Sequence, residues 1–367
     1  MRILRVAQKL YPDVAGGAPY HVHALSRDQA ANGHDVTVLT VRRDPSLPRS
    51  ETRDGYRIER RDATVSPLGN DISVGLARYL GSVEEFDVVH AHSHLYASTN
   101  LAAAATRLRD VPLAITNHGL FSQTAPTAVF EAYLRTLGRW TFDAADLAFC
   151  YTAAERDQLR SYGVSTPIEV VANGIDTRRF APDGPADDRV AGDPAVLFVG
   201  RFVDGKRPRD AVDAVARLRD RRGGATLTLC GEGPLEDAVA ARAAELGCRD
   251  AVRLLGQVPY DAMPGIYRAA DALVLPSRDE GVPRTVLEAL ACGVPVVTTD
   301  LEQFDALLDG VGRTVPVGDV GGLAAALDAV VAGTERDPRS AVAPDHAWDR
   351  TVTETTAALE RLGSSGG

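Results

Sequence analysis

Short apolar runs alternate along the chain with longer stretches in which apolar residues recur at helical spacing, a pattern that predicts parallel strands covered by helices on both faces. In the first half the runs predict strands at Ile3–Ala7, Asp35–Val41, Asp87–His90, Leu113–Thr116, Leu147–Tyr151 and Ile168–Val171. Helices are expected at Tyr20–Ala31, Leu95–Leu108 and Ala128–Trp140. The pattern breaks between Arg178 and Gly192, where Pro182-Asp183-Gly184-Pro185-Ala186-Asp187-Asp188 has the composition of a linker. A second series follows, with strands expected at Ala195–Val199, Thr226–Cys230, Val252–Leu255, Ala272–Leu275, Val294–Thr298 and Thr314–Val317. The sequence therefore predicts two doubly wound α/β domains, at 1–180 and 190–344. A terminal helix at 345–362 and a disordered tail at 363–367 complete the expected organisation. Open α/β sheets take ligands outside the carboxyl ends of their strands, so residues following each strand carry the functional argument.

Composition narrows the class. The 367 residues are 45% hydrophobic and 25% charged, as in ordinary globular chains. The formal net charge of −10 argues against generic nucleic-acid binding. No apolar run is long enough to span a membrane, and Met1–Arg5 reads as a strand, so the expected compartment is the cytoplasm. Cys150, Cys230, Cys248 and Cys292 have no paired spacing and read as buried thiols. Lys9 and Lys206 are the only lysines among many arginines, which makes the position of each informative.

After the expected strand Ala195–Val199 comes Gly200-Arg201-Phe202-Val203-Asp204-Gly205-Lys206. A glycine there permits close backbone approach, and two cations from one loop suit a diphosphate whose oxygens gain charge as a bond breaks. After Ala272–Leu275 comes Glu280-Gly281-Val282-Pro283-Arg284-Thr285-Val286-Leu287-Glu288, with Pro283 opening a helix that Gly293 closes. The N–H groups of Arg284 and Thr285 face an anion there, with one carboxylate ahead of it and one behind. Taken singly, Arg201 reads as a solvated charge among many arginines whereas the rare Lys206 does not, and Glu280 and Glu288 are evenly balanced between surface and site; the joint spacing favours a site.

These motifs, with Asn173-Gly174-Ile175-Asp176, Gly231-Glu232-Gly233-Pro234, Gly16-Gly17, Gly33-His34-Asp35-Val36 and Val252–Val258, resemble the GT4-type retaining glycosyltransferases of the GT-B fold. The resemblance runs in order from Leu10 to about residue 360. It implies two Rossmann-like domains facing a central cleft. Arg201 and Lys206 would clamp the donor diphosphate, Glu288 would hold the ribose, and Glu280 would meet the donor-sugar hydroxyls. Val258 would lie at the base and Gly16-Gly17 at the donor from the N-terminal side. His118, after Leu113–Thr116, would touch the sugar near the reacting carbon. The implied donor is a UDP- or GDP-linked hexose, with no cofactor and no metal. The implied acceptor is a glycan, a lipid-linked sugar or a small molecule. Val282 and Pro283 depart from the aromatic and glycine common in the family.

Two features resist assignment. His90, His92 and His94 alternate after a strand, which could gather a metal, yet the spacing is no standard signature and a cleft lining is preferred. Arg42, Arg43, Arg49, Arg53, Arg57, Arg60 and Arg61 interleave with Asp44, Glu51, Asp54, Glu59 and Asp62. That mixture reads as a solvated face or flexible loop, leaving only peripheral membrane contact open. An epimerase or phosphorylase on the same scaffold, or a non-catalytic nucleotide-sugar binder, are the competing readings.

Overall fold

The computed structural model describes residues 1–120, 127–342 and 344–365, and the chain divides into two compact units. The first comprises Met1–Ala172 with Asp349–Gly367, the second Asn173–Trp348.

The first unit holds β1 (Arg2–Val6), β2 (Asp35–Arg42), β3 (Ser50–Arg53), β4 (Tyr56–Asp62), β5 (Val88–His92), β6 (Leu113–Thr116), β7 (Leu147–Cys150) and β8 (Ile168–Val170). Their order is β3-β4-β2-β1-β5-β6-β7-β8, antiparallel only between β3 and β4. Alternation along each strand sorts side chains into two cores. Leu4, Val6, Leu39, Val89 and Ile115 pack on one face, Ile3, Val36, Val38, Val88 and Ala114 on the other. With both faces apolar, helices must cover both, as the sequence pattern required.

Of the two readings of the arginine-rich segment, a solvated face or a flexible loop, the loop is corrected, while Arg49 and Arg57 are solvent-exposed. The segment forms the hairpin β3–β4, turned by Asp54 and Gly55, both at positive φ. Asp-Gly is the residue pair that a two-residue hairpin turn favours. Arg60 is completely buried there, its guanidinium paired with Asp13 at 2.7 Å and Glu51 at 2.7 Å. Interleaved charge thus marks a paired hairpin: Arg57 and Arg61 meet Glu59 on their own strand, Arg53 meets Glu51 on its own, and Arg60 meets Glu51 on the neighbouring strand and Asp13 outside the hairpin.

Two further boundaries move. The helix expected at Ala128–Trp140 is interrupted by a wider π turn at Leu134–Gly138, between helices Thr127–Tyr133 and Arg139–Asp143. The terminal helix runs Trp348–Ser365, so the expected tail is helical through Ser365, with Gly366 and Gly367 outside the described residues. Leu362 packs on the apolar core and Ser364 donates to the Arg361 carbonyl at 3.0 Å, which hold the last turn.

The second unit contains β9 (Ala195–Val199), β10 (Thr226–Cys230), β11 (Val252–Gly256), β12 (Ala272–Leu275), β13 (Val296–Thr299) and β14 (Gly312–Val315). All run parallel in the order β11-β10-β9-β12-β13-β14. The expected linker belongs to this unit. Phe180 is fully buried in its core, and Arg268 donates to the carbonyls of Ala181 at 2.7 Å and Arg179 at 3.1 Å. A Pro/Gly-rich run is thereby fixed by a guanidinium that satisfies its carbonyls, and the chain crosses between units at Ala172–Asn173 instead. Among the described residues, no helix is long and apolar enough to cross a membrane.

Candidate active site

In the second unit the strand order reverses between β9 and β12, so the loops after these strands diverge and leave a crevice at their carboxyl ends. Of the sequence-derived donor residues, Gly200, Arg201, Lys206 and Glu280 lie on these two loops. Beyond Gly200 the first loop is pinned by Phe202 N–H to the Glu232 carbonyl at 2.9 Å, and it ends in a short turn, Asp204–Lys206. Gly231 lies close beneath it at φ 136°, where a Cβ would collide with the Gly200 carbonyl oxygen. That close approach explains the glycine in Gly231-Glu232-Gly233.

The second loop is tied to the first through Arg278 N–H and the Gly205 carbonyl at 2.8 Å. Lys206 and Glu280 form a direct ion pair, with side chains only 13% and 4% exposed. Gln303 donates to the Glu280 carbonyl at 2.7 Å and steadies this loop from the next helix. The structure thus brings Lys206, expected at the donor diphosphate, onto Glu280, expected at the donor-sugar hydroxyls. Arg201 is exposed and makes no ion pair with a described residue.

Pro283 precedes the helix Arg284–Ala291 and, lacking an N–H, leaves the first-turn donors to Arg284 and Thr285. Thr285 also carries a buried hydroxyl oxygen with no partner among the described residues. Donor groups at a helix N-terminus suit an anion. One turn on, Glu288 is 3% exposed, and its two oxygens accept from the hydroxyls of Tyr260 at 2.7 Å and Tyr267 at 3.0 Å. Burial, and then the Glu288 charge, drives the Tyr267 phenol well above its ordinary range, keeping it a donor. Val258 lies half-buried against the core at the end of β11, beyond Gly256 at φ 66°. The two tyrosines and Gln303 lie outside the motifs legible in the sequence, although Tyr260 stands only two residues past Val258.

In the first unit the strand order reverses between β1 and β5. Gly16, at φ 143°, caps the helix Gly17–Ala31 after β1. His118 follows β6 and is held at both ring nitrogens, by His92 at 3.0 Å and the Tyr151 hydroxyl at 2.8 Å. His90 and His92 touch, with ring centroids 4.3 Å apart, while His94 turns away to pack on Phe142. The three alternating histidines therefore occupy two environments. Among the described residues, no group of three His, Cys, Asp or Glu side chains could hold a metal ion.

Behind them Arg5 is completely buried with no carboxylate partner among the described residues, donating to Ser26 at 2.8 Å and Gln29 at 2.5 Å and lying 3.4 Å from His90 Nδ1. A guanidinium can only donate, so His90 accepts at Nδ1 and its Nε2–H is left for the Thr116 hydroxyl at 2.7 Å. Burial draws His118 down to about 3 and His94 to about 4; burial and then the Arg5 charge hold His90 well below 6.5, and burial with the neighbouring His90 and His118 holds His92 there. The cluster is neutral at physiological pH.

This neutrality has a testable sign. The unfolded chain protonates each histidine near the ordinary 6.5, before the folded chain does. The stability held by fully buried His94 is whole above that pH and is lost as pH falls towards 4, at about 1.4 kcal/mol per pH unit. The other three shift in the same direction, so the losses add. Urea midpoints should fall steeply from about pH 7 to about pH 5, and a flat profile across that window would contradict a neutral cluster.

Comparison with known proteins agrees with this arrangement. The glycosyl transferases group 1 model matches residues 193–332, and the glycosyltransferase family 4 model matches 15–179. The glycogen synthase of Mycobacterium tuberculosis is 33% identical over 97% of this chain and 93% of its own. The D-inositol 3-phosphate glycosyltransferase of Frankia alni is 34% identical over 83% of each. Among solved structures, Anabaena HepE in complex with UDP and glucose superposes with a TM-score of 0.79 at 18% identity, covering 98% of this chain and 99% of that one. Two α/β units of this kind, with charged loops at the switch point of the second sheet, define a glycosyltransferase of the GT-B fold. The chain belongs to the GT4-type glycosyltransferases.

Proposed function

We propose that the protein transfers a hexose from a UDP- or GDP-linked donor to an acceptor hydroxyl, with retention of anomeric configuration and without a metal. The observation that carries this reading is the Lys206–Glu280 pair beside the N-terminus of the helix Arg284–Ala291, at the carboxyl ends of β9 and β12.

The chemistry follows from what each group can exchange. An arriving diphosphate gives Lys206 a more highly charged partner than Glu280, while the donor-sugar hydroxyls replace the ammonium as donors to the Glu280 carboxylate. Both groups start desolvated, so each gains more from its new partner than it would in water. Arg201 and the first-turn N–H groups then oppose the charge growing on the leaving diphosphate. His118 is uncharged, so it can lie against the sugar without repelling a cationic transition state, while His92 and Tyr151 occupy its two ring nitrogens. The departing diphosphate itself takes the acceptor proton on the face it leaves, which preserves the anomeric configuration. Glu288 holds the ribose through the lone pairs its tyrosines leave open.

The relatives support transfer to a hydroxyl: one is named for glycogen synthesis, another for glycosylation of an inositol phosphate. The acceptor here is a glycan, a lipid-linked sugar or a small molecule. Nuclear magnetic resonance of the product's anomeric proton tests the mechanism. The donor's configuration is expected, unchanged in rate by EDTA. An inverted anomer would overturn retention, and activity lost to EDTA and restored by a divalent ion would overturn metal independence.

A further inference from the structure

The side chain of Arg284 does not reach toward the anion site that its backbone helps to form. It is 7% exposed, and NH1 donates to the Gly174 carbonyl at 2.6 Å. NH2 donates to the Tyr260 hydroxyl at 3.0 Å, and Nε lies 3.5 Å from Glu288 Oε1. The guanidinium carbon stands 5.5 Å from the centre of the Trp348 ring. One planar group thus touches Glu288, the tyrosine that bonds Glu288, and two segments far apart in sequence.

Those two segments are where the chain passes between its units, after Ala172 and after Trp348. Within the second unit they are joined side by side. Ile175 N–H donates to His346 at 2.9 Å, Trp348 N–H donates to Ile175 at 2.9 Å, and Ile175 bridges Ala347. Asn173 also donates to the Val282 carbonyl at 3.1 Å, two residues before Arg284. The loop leading into the donor helix is therefore fastened to the first crossing by a side-chain amide, and the helix's first residue to both crossings by a guanidinium.

We propose that Arg284 is a positioning residue that couples nucleotide at Glu288 to the two crossing segments. The idea rests on Glu288 receiving the ribose. Hydroxyls arriving at Glu288 compete with the Tyr260 hydroxyl and with Arg284 for the same carboxylate oxygens. Any shift of the guanidinium changes its hold on Gly174 and Trp348, because a rigid fork cannot adjust one arm alone. Linkage makes the effect reciprocal: the state of the crossings sets the affinity at Glu288.

Trp348 supplies the reporter, since Trp140 is the only other tryptophan and is 40% exposed. In full-length Trp140→Phe protein, UDP, GDP and ADP are titrated while Trp348 fluorescence is recorded, with binding measured independently by equilibrium dialysis. A saturable change tracking nucleotide occupancy is expected. Arg284→Lys keeps a cation near Glu288 but loses the fork; compared at equal nucleotide occupancy, fixed by the dialysis measurement, its Trp348 response should fall about fivefold or more. Tyr260→Phe, which removes one hydroxyl and keeps the ring, should weaken the response in the same direction without depending on Arg284 substitution. Nucleotide binding with a silent Trp348, or an undiminished response in both variants, overturns the coupling alone. Binding of none of the three nucleotides overturns both the coupling and the donor-site reading.

Discussion

Lys206→Met is expected to lower kcat/KM for sugar transfer by about 10²–10³, the usual cost of removing one preorganised donor to a developing charge. The loss should fall on kcat, because the ammonium counts most when the diphosphate is leaving. The same substitution strands Glu280, whose side chain is 4% exposed and whose cation is Lys206. Nucleotide affinity should therefore change less than rate, whereas thermal stability should drop measurably. Lys206→Arg should recover part of the rate, since charge returns but the shorter reach and compact geometry of the ammonium do not. Arg201→Met should cost less than Lys206→Met because Arg201 is exposed and its charge is screened. Steady-state kinetics across a donor series would show the order; equal losses at the two positions would contradict the division of labour.

Arg60→Met is expected to destabilise the first unit by about 3–5 kcal/mol, as removal of one member of a buried ion cluster generally does. Arg60 is fully buried and serves Asp13, Glu51 and the Pro48 carbonyl at 3.1 Å. Arg53 also reaches Glu51 at 2.6 Å and Asp13 at 3.5 Å, so it retains some compensation and favours the lower end of that range. Exposed Arg49, paired with Asp62 on the same hairpin, should cost below about 1 kcal/mol when changed to Met. Urea unfolding followed by circular dichroism reads both. Equal losses at the two positions would return the hairpin to the status of a solvated face.

That hairpin also shows where sequence reasoning reaches its limit. Strands such as β1, β6, β9 and β12 are short apolar runs, legible because both faces of a parallel sheet are buried. In β4, Arg57, Glu59, Arg60 and Arg61 interrupt any apolar run, and the burial of Arg60 depends on Glu51 of β3 and on Asp13 outside the hairpin, partners that no local pattern reveals. The Asp54-Gly55 turn was the one local signal, and it was overshadowed by the density of charge. The candidate donor loops were legible for a different reason. Glycine, proline and charge at fixed offsets after a strand describe a loop and helix start, which are local structures. The Lys206–Glu280 pair was not, since it joins loops 74 residues apart through the adjacency of β9 and β12. His118 was found by its place after a strand, but its clamp by His92 and Tyr151 required the order β5-β6-β7.

The central claim is that the loops after β9 and β12 form a nucleotide-sugar donor site that drives transfer. The most direct measurement is nucleotide release from a panel of UDP-, GDP- and ADP-linked hexoses, with and without a panel of glycan, lipid-linked and small-molecule hydroxyl acceptors, in wild type and Lys206→Met. The account predicts release from at least one donor in the wild type, stimulated by acceptor and reduced about 10²–10³-fold in the variant. Release that is indifferent to Lys206, or no binding and no turnover of any donor, would contradict it.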